Sequence, residues 1–413
     1  MPRPARDVPL LFASRAVRLF AFGLLSVVLV LHLTAAGLDE RQVGLLLTLT
    51  LAGDAVITLA VTTRADRVGR RKMLALGAAL VVGAGAILAT ASSFLLLLLA
   101  ATIGIVSPAG NEVGPFLALE QAALSQELPH ERRTSVLAWY TLTGSLATAA
   151  GSLVGGVLAE WLQARGATPL ASYRALAVGY AALGLALLGL ASRMSSAVEA
   201  PARGTPGASA LATGARPWLG LHRSRGVVLR LAALFSVDSF AGGFVVQSFV
   251  AWWFHRKFGT GEATLGAIFF GSNVLAGISA LSAARVARRI GLVNTMVVTH
   301  LPSNVLLFLV PLAPTESIAI AVLLARFSIS QMDVPTRQSY TMALVDPDER
   351  SAAAGVTGIA RTVGASLAPV IAGPLYASAT LSGVPFFLGG GLKIVYDLAL
   401  WRSFRRLRPP EER

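Results

Sequence analysis

The sequence predicts an all-α membrane protein with twelve transmembrane helices in two pseudo-symmetric six-helix bundles. Three observations predict it. Of the 413 residues 54% are hydrophobic and only 14% charged, with mean hydropathy +0.67, where a soluble domain carries about 25% charged residues. Apolar stretches of bilayer-crossing length, about 20–30 residues each, recur along the whole chain. They divide six and six around a mid-chain segment with Pro201, Gly204, Pro206, Gly207, Gly214 and Pro217, which reads as a linker. There is no cysteine, which excludes disulfides, thiolate metal sites and a cysteine nucleophile. The net charge of +14 would suit nucleic acid, but the basic residues cluster beside apolar stretches, as helix orientation and anionic lipid headgroups favour. No nucleic-acid partner is expected. The first apolar stretch also starts too far in and runs too long for a cleaved signal peptide.

In order, spans are expected at about 10–36, 42–63, 73–90, 94–128, 134–162 and 173–191, then 227–254, 263–284, 292–312, 318–344, 351–377 and 385–401. The domain division is an N-terminal bundle at 1–193, a cytoplasmic linker at 194–225 and a C-terminal bundle at 226–413. Even-to-odd junctions and both termini hold most of the basic residues, among them Arg64, Arg70, Arg71, Lys72, Arg132, Arg133, Arg285, Arg288, Arg289 and Arg350. That asymmetry puts both termini in the cytoplasm. The expected location is the plasma (inner) membrane. Lys72, Lys257 and Lys393 are the only lysines, a usage that points to a GC-rich bacterial source.

Two features repeat between halves. Pro129-His130-Glu131-Arg132 matches Pro347-Asp348-Glu349-Arg350, and Arg67-Val68-Gly69 resembles Arg289-Ile290-Gly291. With the six-and-six division of spans, these matches read as a weak internal repeat.

The junction Asp66-Arg67-Val68-Gly69-Arg70-Arg71 resembles the loop between helices 2 and 3 of the major facilitator superfamily (MFS). Thr62 and Arg64 stand where that family usually has Gly and Leu. Gly144 and the run Gly151-Ser152-Leu153-Val154-Gly155-Gly156 resemble the family's antiporter motif, with Ser152 in place of Pro. The residues alone also read as close helix packing through small side chains. The resemblance implies the MFS fold, in which spans 1, 4, 7 and 10 line the cavity, and an exporter-like secondary transporter. It assigns Asp66, Arg67, Gly69, Arg70 and Arg71 to a cytoplasmic gating loop.

Charged residues inside spans are costly and mark candidate sites. Glu112, beside Asn111 in the Ser107–Pro115 run of two prolines and two glycines, is the first candidate for a proton-coupling acid. The run is expected to break span 4 and expose backbone groups to a cavity. Asp238 and Arg361 are both placed near the midplane and are expected to face the cavity and pair. Arg326 and Asp333 fall on one face of span 10, and Asp54 lies mid-span 2. Glu120 is expected to partner Arg70, Arg71 or Arg132 at a gate. Arg15 and Arg18 are expected to snorkel to the surface. Lys393 and Asp397, four apart on span 12, are expected to pair structurally.

The resulting functional expectation is a secondary active transporter working by alternating access on a small-molecule substrate. Proton antiport with efflux is preferred, and import of a sugar, amino acid or organic anion is the alternative. A non-transporting membrane sensor on the same fold is the alternative of another class. No enzyme activity, metal or cofactor is expected, since the sequence holds neither a phosphate-binding loop nor a catalytic constellation. The partners expected are the solute, the lipid bilayer and protons, with a monomeric chain.

Overall fold

A computed structural model describes residues 7–112, 114–127, 130–199, 221, 223–346, 349–405 and 407. Side chains at 63, 66, 67, 125–127, 130–135 and 351 are outside that description. Apart from short turns the described chain is helical. Span 1 is α1 (Val8–Ser26) and α2 (Leu29–Ala35). Spans 2 and 3 are α3 (Glu40–Val68) and α4 (Arg70–Thr90). Span 4 is α5 (Phe94–Ile103) and α6 (Phe116–Glu127). Spans 5 and 6 are α7 (His130–Ala164) and α8 (Pro169–Arg193). In the second half, span 7 is α9 (Arg225–Gly243) and α10 (Gln247–Phe258), and spans 8 and 9 are α11 (Glu262–Ile290) and α12 (Leu292–Leu309). Span 10 is α13 (Glu316–Ser330) and α14 (Asp333–Leu344), span 11 is α15 (Arg350–Leu367) and α16 (Pro369–Ala377), and span 12 is α17 (Val384–Phe404). Eleven stretches are long and apolar enough to cross a bilayer among the described residues, and the broken span 4 supplies the twelfth crossing.

Local chemistry sets the helix ends. Asp39 caps α3 through the Gln42 N–H at 2.8 Å, and Gln42 returns a bond to the Asp39 N–H at 3.0 Å, which forms a capping box. Thr168 and Thr315 cap α8 and α13. The junction after span 2 is tighter than expected. Helix continues through Val68 and restarts at Arg70, so Gly69 alone makes the turn, with φ 110°. Its counterpart Gly291, between spans 8 and 9, has φ 83°. A side chain is strained in that region, and glycine is not. The carboxylate of Glu199 then accepts the N–H groups of Arg70 and Arg71 at 2.6 and 3.3 Å, where an anion complements the N-terminus of α4.

Spans 1, 4, 7 and 10 are all interrupted, at 27–28, 104–115, 244–246 and 331–332, and span 11 is interrupted at Ala368. A broken helix frees backbone groups that hydrocarbon cannot satisfy, and side chains of other spans take them up. The Tyr180 hydroxyl donates to the Ile105 carbonyl at 2.5 Å, and Thr148 donates to Gly110 at 3.3 Å. Ser248 donates its N–H to the Pro108 carbonyl at 3.0 Å and its hydroxyl to the Ser26 carbonyl at 2.9 Å. Span 7 of one half is thereby joined to the breaks of spans 1 and 4 in the other.

The halves meet through span 5 against span 8 and span 2 against span 11. Their close approach is at the end opposite the Arg70–Lys72 cluster, called here the far end. A Cβ on Gly156 would lie 2.9 Å from the Gly266 Cα, and one on Gly44 would lie 2.7 Å from the Pro369 carbonyl oxygen. Gln163 and Tyr173 donate to Glu262 at 3.0 and 2.6 Å, and Glu160 accepts the Ala263 N–H at 2.9 Å. Thr48 accepts the Val370 N–H, also at 2.9 Å. Together these contacts seal the far end.

Candidate functional site

Most of the buried charges gather in two clusters, one in each half. In the first, Arg15 and Arg18 stand three apart on α1 and so share a face. They are 6% and 0% exposed and do not reach the surface, contrary to the snorkelling expectation. Two carboxylates from span 4 hold them inside. Glu112 accepts from Arg15 Nη1 at 2.6 Å and Arg18 Nε at 2.7 Å. Glu120 accepts from both terminal nitrogens of Arg18 at 2.8 Å, the forked geometry that guanidinium and carboxylate favour. The Ser14 hydroxyl at 2.6 Å and the Tyr140 hydroxyl also donate to Glu120. Arg15 stacks 4.3 Å above the Tyr140 ring and Arg18 4.5 Å above Phe116.

This arrangement corrects two expectations. Glu120 is fully buried against Arg18, not at a gate with Arg70 or Arg71; those residues turn to Glu199 and Ser192 instead. Glu112, the first candidate for the proton-coupling acid, is already matched by two guanidiniums. The run Ser107–Pro115 does break span 4, yet Asn111 contributes its carbonyl, to the Ser107 hydroxyl at 2.7 Å, while its side chain is exposed. The side chains of Asp66, Arg67 and Arg132 lie outside the described residues.

Asp54 differs from both glutamates. It accepts the Gly114 N–H at 2.5 Å and the Thr58 hydroxyl at 3.4 Å. Glu112 is a nearby like charge. No cation is within ion-pair distance among the described residues. The first cluster thus holds three carboxylates against two guanidiniums. The glycines of span 5 make room for it. A Cβ on Gly144 would lie 2.6 Å from Arg15 Nε, and one on Gly151 or Gly155 would run into the α1 backbone near Phe20 and Leu24. Gly156 faces span 8 instead.

The second cluster centres on Asp238. Lys393 Nζ is 2.5 Å from it and Arg337 Nη1 2.9 Å, with His300 Nε2 at 4.0 Å. Arg337 is also 3.6 Å from Asp333. Asp397 bonds to His300 at 2.8 Å and to Asn304 at 3.0 Å. The expected Asp238–Arg361 pair is absent, since Lys393 and Arg337 occupy the carboxylate. The expected Lys393–Asp397 pair is also absent, because the two side chains turn to partners on different spans. Arg326 and Arg361 make no hydrogen bond or ion pair among the described residues, and the Nε of each is buried and unbonded. Arg326 lies in the field of Asp238 and Asp333, and Arg361 in that of the same two acids and Arg337.

Sequence reasoning did not assign functional weight to Arg15, Arg18, Tyr140, Arg337, His300, Asn304 or Lys393. A signal for some was present. Arg15 and Arg18 recur at helical spacing well inside an apolar run, and Arg337 follows Asp333 by one turn.

A family model described as Major Facilitator Superfamily matches residues 11–369. An uncharacterised membrane protein of Saccharomyces cerevisiae is 28% identical, the alignment covering 96% of this chain and 93% of that protein. Among solved structures, a bacterial homologue of the human lysosomal transporter Spinster, inward-facing and occupied, superimposes with TM-score 0.74 at 14% identity over 98% of each chain. A D-xylose–proton symporter gives TM-score 0.72 at 15% identity over 96% of this chain and 97% of its own. A nucleoside transporter gives 0.72 at 13% identity over 97% and 99%. At such identities the likeness is one of fold.

Proposed function

Because the chain belongs to the Major Facilitator Superfamily, and so is a multi-pass membrane transporter and not an enzyme, we propose that it carries a small organic solute between its two halves by alternating access, coupled to protons. The observation that carries this reading is the placement of the charges. The two buried clusters are built largely on spans 1, 4, 7 and 10, all of them interrupted, and the halves close over them at the far end. Charge buried in a membrane span is costly and marks a functional site, and a broken span can bend at its break between two packings.

Asp54 is the proton carrier in this reading. Glu112 and Glu120 are matched by Arg15 and Arg18, so a proton arriving there would strand a guanidinium. Asp54 has only an N–H and a hydroxyl, so its proton can come and go without breaking an ion pair. It grips the break of span 4 through Gly114, and protonation would weaken that grip, since a neutral carboxyl oxygen accepts less strongly than a carboxylate, which would couple the proton to the shape of the span. In this reading the basic end faces the cytoplasm, so the closed far end faces outward and both termini lie on the cytoplasmic side of the plasma membrane. The resemblance of the Gly151–Gly156 run to the family's antiporter motif supports exchange, hence efflux against entering protons.

The chain has no cysteine, so paired spin labels can be placed without background. Ala164→Cys with Thr380→Cys reports the far end, and Arg64→Cys with Arg288→Cys reports the basic end. In proteoliposomes each pair should show two distance populations, and acidification should shift them in opposite senses at the two ends. A single unchanging distance at both ends would favour the sensor reading.

A further inference from the structure

We infer that the solute is a small organic anion, held through its carboxylate by Arg326 and Arg361; this names the substrate class for the transport reading above and rests on it. The argument begins with charge. With His300 neutral, the second cluster contains four cations, Arg326, Arg337, Arg361 and Lys393, against three carboxylates, Asp238, Asp333 and Asp397. Arg337 and Lys393 are taken up by Asp238 and Asp333. Asp397 is taken up by His300 and Asn304. The surplus positive charge therefore rests on the remaining two guanidiniums. A cation inside a membrane protein without a counter-charge is costly, and pairing is the usual remedy.

Position supports a shared ligand. Arg326 is ten residues into α13, which enters from the far end. Arg361 is eleven residues into α15, which enters from the basic end. At about 1.5 Å per residue both lie roughly 15–17 Å deep, near the midplane. Both sense Asp238 and Asp333, so they flank one cluster from different spans. Two planar forks at about the same depth beside one cluster suit a planar group with two acceptor oxygens. A carboxylate fits that description, and one negative charge matches the surplus. Phe327 lies under Arg326, its ring 5.0 Å from the guanidinium carbon, and leaves an apolar wall for an organic body. An anion also suits the direction proposed, because an inside-negative potential favours its exit.

The test is binding to purified protein in detergent, followed by calorimetry and thermal shift. The probes are benzoate, lactate and glutarate, each against its neutral amide, with benzylammonium as the cationic control. At least one carboxylate should bind and its amide should not. Arg326→Gln and Arg361→Gln should each weaken that probe about tenfold or more, the loss expected for a hydrogen bond to a charged group. Arg326→Lys and Arg361→Lys keep the charge without the fork and should retain part of the affinity, which separates ligand contact from folding failure. Binding of an amide or of benzylammonium as tightly as any carboxylate would overturn the inference, and so would undiminished carboxylate binding in both Gln variants or no binding by any carboxylate. Transport itself is judged separately by the two-population distances, so the anion assignment can fall while the transporter reading stands.

Discussion

Replacing Arg18 with Met should be among the most damaging single substitutions in the membrane interior, and its cost can be worked from the contacts. Arg18 is 0% exposed and reaches three carboxylate oxygens, one of Glu112 at 2.7 Å and two of Glu120 at 2.8 Å. Glu112 keeps Arg15 at 2.6 Å after the change. Glu120 keeps only the hydroxyls of Ser14 and Tyr140 and becomes a buried charge without a cation. Stranding one member of a buried pair costs about 3–5 kcal/mol, roughly a factor of 10³ in the unfolding equilibrium at the middle of that range. Glu120→Gln removes the stranded charge, so the double variant Arg18→Met/Glu120→Gln should be more stable than Arg18→Met alone. Coupling between neighbours of this kind is about 0.5–3 kcal/mol, and the forked pair belongs at the upper end. The assay is reversible unfolding by dodecyl sulfate in dodecyl maltoside micelles, followed by tryptophan fluorescence for the parent, both single variants and the double. A cost under about 1 kcal/mol for Arg18→Met, or single-variant costs that simply add in the double, would refute the reasoning that Arg18 neutralises Glu120.

Two further outcomes follow from the same geometry. Asp54→Asn keeps an acceptor for the Gly114 N–H, so the fold should persist, yet proton movement driven by a solute should fall to background in proteoliposomes carrying a pH-sensitive dye; undiminished proton flux would remove Asp54 from the coupling role. Gly156→Val places side-chain atoms against the span 8 backbone at Gly266, which should hold the far end apart and lengthen the Ala164–Thr380 spin-label distance, and an unchanged distance would show that the seal does not depend on that approach.

Much of the architecture was legible in the chain itself. Twelve spans and the glycine turn at Gly69 could be read from local patterns, as could the break of span 4 around Pro108 and Pro115. The price of membrane burial also marked Glu112, Asp238, Arg326, Arg361 and Asp54 as residues that need a reason. What went astray was partnership. Arg15 and Arg18 looked close enough to the chain's start to reach water, but Glu112 and Glu120 lie 94 and 102 residues from Arg18 and keep it inside. Lys393 and Asp397 had the spacing of a helical pair, but Asp238, 155 residues from Lys393, is the nearer acid.

Hydropathy is judged window by window against the bilayer, so the sequence alone determined that this chain crosses the membrane many times, where each crossing starts, and which residues are anomalous within it. Ion pairing depends on which helices pack side by side and how each is rotated, and that is set by glycine-mediated contacts such as Gly144 and Gly151 against α1. No local pattern encodes such rotations, so the tertiary structure alone decided that Glu112 and Glu120 are neutralised, that Asp54 is not, and that Arg326 and Arg361 are left without a counter-charge.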